Sequence, residues 1–304
     1  DLGRVRSERL VEEITLAPAE RAVIEVAFDQ VGSYRLLHRG VGEPKVLGLV
    51  LALPARGAPS PARAAFDRLR VDAEISREMA ALAPHRERRP DLELDLTVDI
   101  PDLLLSRKPA PGGAGEDDEA DADAATASAS REGEAEGDAH GADEAHGPIE
   151  WEDDMLAVNR ASSSDTVHWM IRDRRTGAVN HQLAYTWRVG DIVKVRLRNL
   201  GDSDHPMQHP IHFHGQRLLV LSRDGEPERA PSWKDTVLVT AGETVDLLLE
   251  LTVPGAWMVH CHILEHIESG MMFSFQVLPA DEDPPPPLPD PVDSAADPAH
   301  ASGA

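Results

Sequence analysis

The sequence predicts an all-β protein, built as β-sandwiches and interrupted by one helical stretch and one acidic linker. Three observations carry that prediction. Short runs of apolar and β-branched residues, bounded by Gly and Pro turns, recur from Glu13 to Pro54 and again after Pro148. Between Pro61 and Ala83 the pattern changes to helix formers. From Lys108 to Gly147 there is almost nothing but Ala, Gly, Asp, Glu and Ser, a composition that cannot bury enough apolar surface to offset the entropy of ordering it.

Taken in order, Glu13–Phe28 reads as two short strands around a turn, and the runs SYRLLHRG and VLGLVLALP add two more. In the helical stretch, Phe66, Leu69, Val71, Ile75, Met79 and Leu82 are spaced for one face. Asp91–Ile100 alternates strictly, as a half-buried strand does. The second half is written more clearly. VHWMIRD is followed by YTWRVGDIVKVRLRNL with a Gly190 turn, then RLLVLSRDG, then DTVLVTAGETVDLLLELTV with an Ala241-Gly242 turn. The expected organisation is a partial β domain with its helical segment over 1–105 and a disordered acidic linker over 106–147. A complete sandwich domain over 148–280 and a disordered acidic tail over 281–304 follow.

The net charge of −24 is unevenly placed, since Glu116–Glu144 holds twelve acids and one arginine and the stretch after Pro279 holds six acids and no base. The charge therefore describes the linker and tail more than the folded part, and it argues against nucleic-acid binding. A single cysteine excludes a disulfide within the chain. No apolar run approaches the ~18 residues of a membrane span. The first residues read as the interior of a domain, so sequence upstream of Asp1 is expected.

That one cysteine sits in the segment WMVHCHILEHIESGMMFSF, inside a His-Cys-His triplet that ends a predicted strand. Side chains alternate along a strand, so His260 and His262 face one way and Cys261 the other. His266 and Met271 follow Cys261 at successive spacings of five. A thiolate, an imidazole and a thioether from one segment make three-quarters of a blue-copper site, which is completed by a second imidazole. HPIHFHG at His209–Gly215 supplies it. His212 and His214 share a face, and His209 falls on the other if the strand stays regular through Pro210. Parity thus sorts His209 with Cys261, and His212, His214, His260 and His262 together, so that one pair of strands would serve two metal centres.

HPIHFHG followed by HCHILEHIESGM resembles the two carboxy-terminal copper motifs of the multicopper oxidases, the laccase-like family. The likeness extends through WKDTVLV and GETVDLLLEL, over about the last half of the chain, and LAPAERAVIEVAF resembles the close of that family's middle domain. The resemblance implies cupredoxin-like Greek-key sandwiches. It implies type 1 copper on His209, Cys261, His266 and Met271, type 2 copper on His212, and a type 3 pair on His214, His260 and His262. Cys261, His260 and His262 would be the catalytic residues, joining the two sites along the backbone. The implied activity couples one-electron oxidation of a small reducing substrate, a phenol, an aromatic amine or a metal ion, to reduction of dioxygen to water, in a periplasmic or secreted protein.

Other readings weigh less. Zinc also takes His and Cys, but a thioether such as Met271 suits copper, and the spacing favours Met271 over Met272. A nucleophilic Cys261 has no oxyanion device around it. Blue-copper nitrite reductases also pair a strand histidine with a cysteine, whereas His262 directly after the cysteine is what a type 3 pair requires. His38, His85, His168, His181 and His300 are expected to be structural, and His205 to lie beside the site without ligating. Two departures from the family stand out. No His-x-His precedes His212, so half of a trinuclear cluster has no ligands here and would come from a missing amino-terminal cupredoxin domain. Three such domains would not fit this length. A type 1 electron-transfer or copper-binding module is therefore the alternative function. The second departure is Ile267, where many bacterial relatives carry an acid.

Overall fold

The computed structural model describes residues 5–40, 42–54, 61–101, 149–151, 160, 162–163 and 165–282. The linker expected over 106–147 lies outside them, as does the tail apart from Asp281 and Glu282.

Two sheets face each other across one core. The first is seven-stranded. Its path runs β10 (Trp233–Lys234), β8 (Arg217–Arg223), β12 (Thr244–Glu250), β6 (Ile192–Asn199), β3 (Leu92–Asp99) and β4 (His168–Asp173), with β9 (Glu226–Pro227) paired to β8. The second is five-stranded, in the order β11 (Thr236–Val239), β7 (His209–Phe213), β13 (Gly255–Cys261), β14 (Met272–Leu278), β5 (Ala184–Arg188). Most neighbours are antiparallel, but β3 runs parallel to β6 and β14 parallel to β5. Inward residues of both sheets, among them Leu94, Leu96, Ile171, Val195, Leu197, Ile211, Val237, Leu247 and Phe275, form one continuous core. This is a cupredoxin-like β-sandwich. The turns expected at Gly190 and Gly242 are present, both glycines holding a positive φ that few side chains tolerate.

Strand β3 corrects the expected domain boundary. Its residues were assigned to the first domain by their place before the acidic stretch, yet β3 sits inside the second domain's sheet, between β6 and β4, with Leu94 facing Leu197 and Asp173 in register. The alternation of Asp91–Ile100 shows that a strand exists; only the sheet shows whose neighbour it is.

The amino-terminal region departs further. Residues Glu13–Phe28, expected as two strands, form none. A strand needs a neighbour for its ladder of hydrogen bonds, and among the described residues this stretch has none. The hairpin of β1 (Gly32–His38) and β2 (Lys45–Ala52) does form, though it stands as its own two-stranded sheet with most of its side chains exposed. The single helical face also divides, into α1 (Pro61–Phe66), α2 (Ala73–Ala81) and α3 (Ala83–Arg86). Asp72 starts the second helix: its carboxylate accepts the free N–H groups of Glu74 and Ile75. Leu69 and Val71 therefore fall in the break and are exposed, while Ile75, Met79 and Leu82 pack on Leu219, Leu221, Trp233 and Leu248 of the seven-stranded sheet.

Candidate metal centre

Strands β7 and β13 are adjacent at the middle of the five-stranded sheet, with His212 opposite His260 and Ile211 opposite Cys261. Register therefore puts His212 and His260 on one face and Cys261 on the other. Pro210 does not disturb this, because its partner on β11 is Leu238 and the ladder runs on through it.

On the inner face, His209, Cys261 and His266 converge. Their ligand atoms all lie within 4.8 Å of one another and all three residues are buried. The Nδ1 atoms of His209 and His266 are 3.2 Å apart, and the Cys261 Sγ is 3.8 Å from the first and 3.3 Å from the second. The last two ligating positions come from the loop after β13, which holds α4 (Leu264–Glu268) and closes on itself. The Met271 N–H donates to the His266 carbonyl at 2.8 Å, and the Cys261 N–H donates to the Met271 carbonyl at 3.2 Å. Met271 is thereby tied beside Cys261, fully buried in the same core.

These edges suit one small ion, since imidazole and thiolate reach such an ion at roughly 2.0–2.3 Å, and a triangle of such ligands has edges of about 3.3–3.8 Å. Burial shapes the protonation. It pushes His209 down to about 3 and His266 well below the ordinary imidazole range, so both are neutral. It pushes the Cys261 thiol up to about 12, so an ion that binds here must expel that proton. A set of two neutral imidazoles, one thiolate and a nearby thioether is the donor chemistry of a type 1 copper.

Trp169 of β4 is a member of this site that sequence reasoning missed. Its ring stacks on His266 at 3.6 Å and 18°, and meets His209 edge-on at 5.6 Å. It stands on the strand read from VHWMIRD, whose local pattern does not name the ring it covers. His205 lies next to it, with Nε2 3.0 Å from a Glu150 carboxylate oxygen, and adds no atom to the three-ligand cluster.

On the opposite face, His212, His214, His260 and His262 form a second group, with ring centres 4.7 to 5.8 Å apart. His214 Nε2 and His260 Nε2 are 2.9 Å apart. The Nδ1 of His260 is 2.7 Å from the Cys261 carbonyl, an acceptor only, so that nitrogen carries the hydrogen and Nε2 is left with its lone pair. Burial lowers the pKa of both His212 and His260. His262 is exposed, and the group opens onto a cleft lined by His212, His214, Gln216, Arg217 and Asp235. Gly215, which ends the first motif, has φ +67°, and a Cβ there would come within 2.3 Å of the Trp257 ring. Only glycine lets β7 turn under that indole.

The family model for multicopper oxidases matches residues 152–281, the span that holds both groups. Residues 152–281 belong to the multicopper oxidase family. Among its relatives, a multicopper oxidase of Staphylococcus epidermidis is 33% identical over 99 residues, 32% of this chain and 22% of that one. The iron transport multicopper oxidase fio1 of Schizosaccharomyces pombe is 33% identical over 30% of this chain and 16% of its own. A solved multicopper oxidase from Pseudomonas thermotolerans shares 35% identity over 31% of this chain and 22% of its own, with a TM-score of 0.27. This chain thus spans about a fifth of the length of such relatives. None of the helices among the described residues is long and apolar enough to cross a membrane.

Proposed function

We propose that this chain is the part of a multicopper oxidase that holds the type 1 copper and half of a trinuclear cluster, in a protein that oxidises a small reducing substrate and reduces dioxygen to water. The observation that carries the proposal is the buried triangle of His209, Cys261 and His266, closed by the loop that returns Met271 beside the cysteine. Copper would supply the one-electron redox chemistry when bound. The chain's own residues do the rest. Burial keeps His209 and His266 neutral as donors, and Trp169 holds the His266 ring against rotation. Cys261 stands between His260 and His262, so the connection between the two sites is covalent. In the second group, His212 belongs to the type 2 position and His214, His260 and His262 to the type 3 pair. A phenol, an aromatic amine or a metal ion is the reductant, and the protein works in the periplasm or outside the cell.

The alternative is a type 1 electron-transfer or copper-binding module without oxidase activity. It rests on the absence of any His-x-His before His212. Copper content, blue absorbance and oxygen consumption separate the two. On copper loading, the chain is expected to turn blue. Joined to a cupredoxin domain bearing two His-x-His pairs, it is expected to bind four coppers and consume oxygen. A colourless loaded chain sinks both readings, and a blue protein that stays oxygen-inert with that domain present leaves the electron-transfer module.

A further inference from the structure

Beside the four-histidine group, three side chains that belong to neither ligand set form a relay of hydrogen bonds. Arg21 donates from Nη1 to Asp235 Oδ1 at 2.8 Å and from Nη2 to Oδ2 at 2.7 Å. The Thr236 hydroxyl donates to the same Oδ1 at 3.0 Å. Its oxygen then lies 2.9 Å from His212 Nδ1, which is also 3.0 Å from the Asp235 carbonyl. A carbonyl accepts and cannot donate, and the hydroxyl has committed its proton to the carboxylate. Both therefore present lone pairs to Nδ1, so Nδ1 carries the hydrogen and Nε2 keeps its lone pair free.

The bidentate contact with Arg21 fixes the orientation of the Asp235 carboxylate, so Oδ1 stays in place to receive the Thr236 hydrogen and the hydroxyl oxygen keeps its lone pairs turned to Nδ1. Arg21 is in turn fixed by its surroundings, because the next pair along, Lys234 with Glu20 at 2.6 Å, docks the same two segments side by side. The irregular stretch that was expected to be a strand is thus clamped onto the edge of the half-site.

We infer that Asp235, held by Arg21 from the amino-terminal segment, is the positioning group that fixes His212 in its Nδ1–H tautomer and so presents Nε2 to a metal. The purpose rests on the oxidase reading above, whereas the tautomer stands without copper. The test is nitrogen-15 NMR of the histidine rings in the metal-free chain, with the His212 signal assigned by its loss in His212→Gln. It is paired with copper titration of the four-histidine group, with the absorbance of the thiolate site as an internal control.

Wild type is expected to show Nδ1–H at His212. Arg21→Gln and Thr236→Val are expected to move His212 part of the way toward Nε2–H, the Asp235 carbonyl remaining as an acceptor, and to weaken copper binding at the four-histidine group by about 10- to 100-fold. The thiolate band should be unchanged, and Arg21→Lys should restore the tautomer. If Arg21→Gln fails to fold, as near-ultraviolet circular dichroism would report, the shape-conserving Thr236→Val decides alone. Nε2–H at His212 in wild type overturns the inference, and so does a Thr236→Val protein that keeps both tautomer and affinity. A wild type that takes up no copper ends the oxidase reading, while the tautomer comparison still tells whether Asp235 positions His212.

Discussion

The two histidine groups use the same pair of strands and differ in closure. His209, Cys261 and His266 are sealed on every side by the sandwich core, the loop carrying Met271 and the face of Trp169. On the other face His212 and His214 line a cleft, and His262 is exposed. A closed set brings its own desolvation and its own geometry, so it can hold an ion unaided. An open set with its ligands on one side relies on whatever covers the cleft, and on outside contacts such as Thr236 and Asp235 to orient its rings.

The most severe way to break this contrast is Cys261→Ser, expected to abolish the blue thiolate-to-copper absorbance entirely while the four histidines still take up copper weakly, as absorbance and equilibrium dialysis would show. Acidity sharpens it next. Because the thiol is held near 12, copper uptake at the closed site expels one proton, and its apparent affinity should rise about tenfold per pH unit from pH 7 to 9. The open group, which has no thiol to deprotonate, should show little change; a competition titration at three pH values separates the two.

The metal-free protein should lose stability in acid for the same reason. His209 and His266 are neutral when folded and protonate near 6.5 once unfolded, so the unfolded chain binds more protons below that value. Stability is full above 6.5 and falls as pH drops toward about 3, where the folded His209 itself titrates. Each histidine contributes a slope of about 1.4 kcal/mol per pH unit, measurable by urea unfolding. Gly215→Ala, which forces a Cβ into the Trp257 ring at positive φ, should cost ~2–4 kcal/mol by the same measurement. The smallest effect is expected from Met271→Leu, which should keep the colour and raise the reduction potential, since removing the axial donor disfavours the oxidised ion; a lowered potential would remove Met271 from the site.

Much of this was legible in the chain. The strands of the second half could be read because turn residues bracket clean alternation, and the two-sided sorting of histidines follows from parity alone. What escaped the sequence is what depends on distant partners. The alternation of Asp91–Ile100 gives a period and no neighbour, so β3 was placed in the wrong domain. Glu13–Phe28 carries a strand-like pattern with no strand to pair against among the described residues. Arg21 and Asp235 are 214 residues apart, and no spacing rule joins them. The break in the helical stretch is different: Asp72 two residues before Glu74 is a helix-start signal that was available and outvoted by the apolar period.

The pairing of β3 with β4 has one more consequence. Asp99 faces His168 across the ladder, so the chain leaves the sandwich and re-enters it at opposing residues. The residues between them connect two antiparallel neighbours, as the loop of a hairpin does. Lengthening such a tether costs only about 0.6 kcal/mol per doubling. The acid-rich stretch can therefore grow, shrink or change in composition over evolutionary time at almost no cost to the sheet, while both strands it joins stay seated in the copper-bearing core.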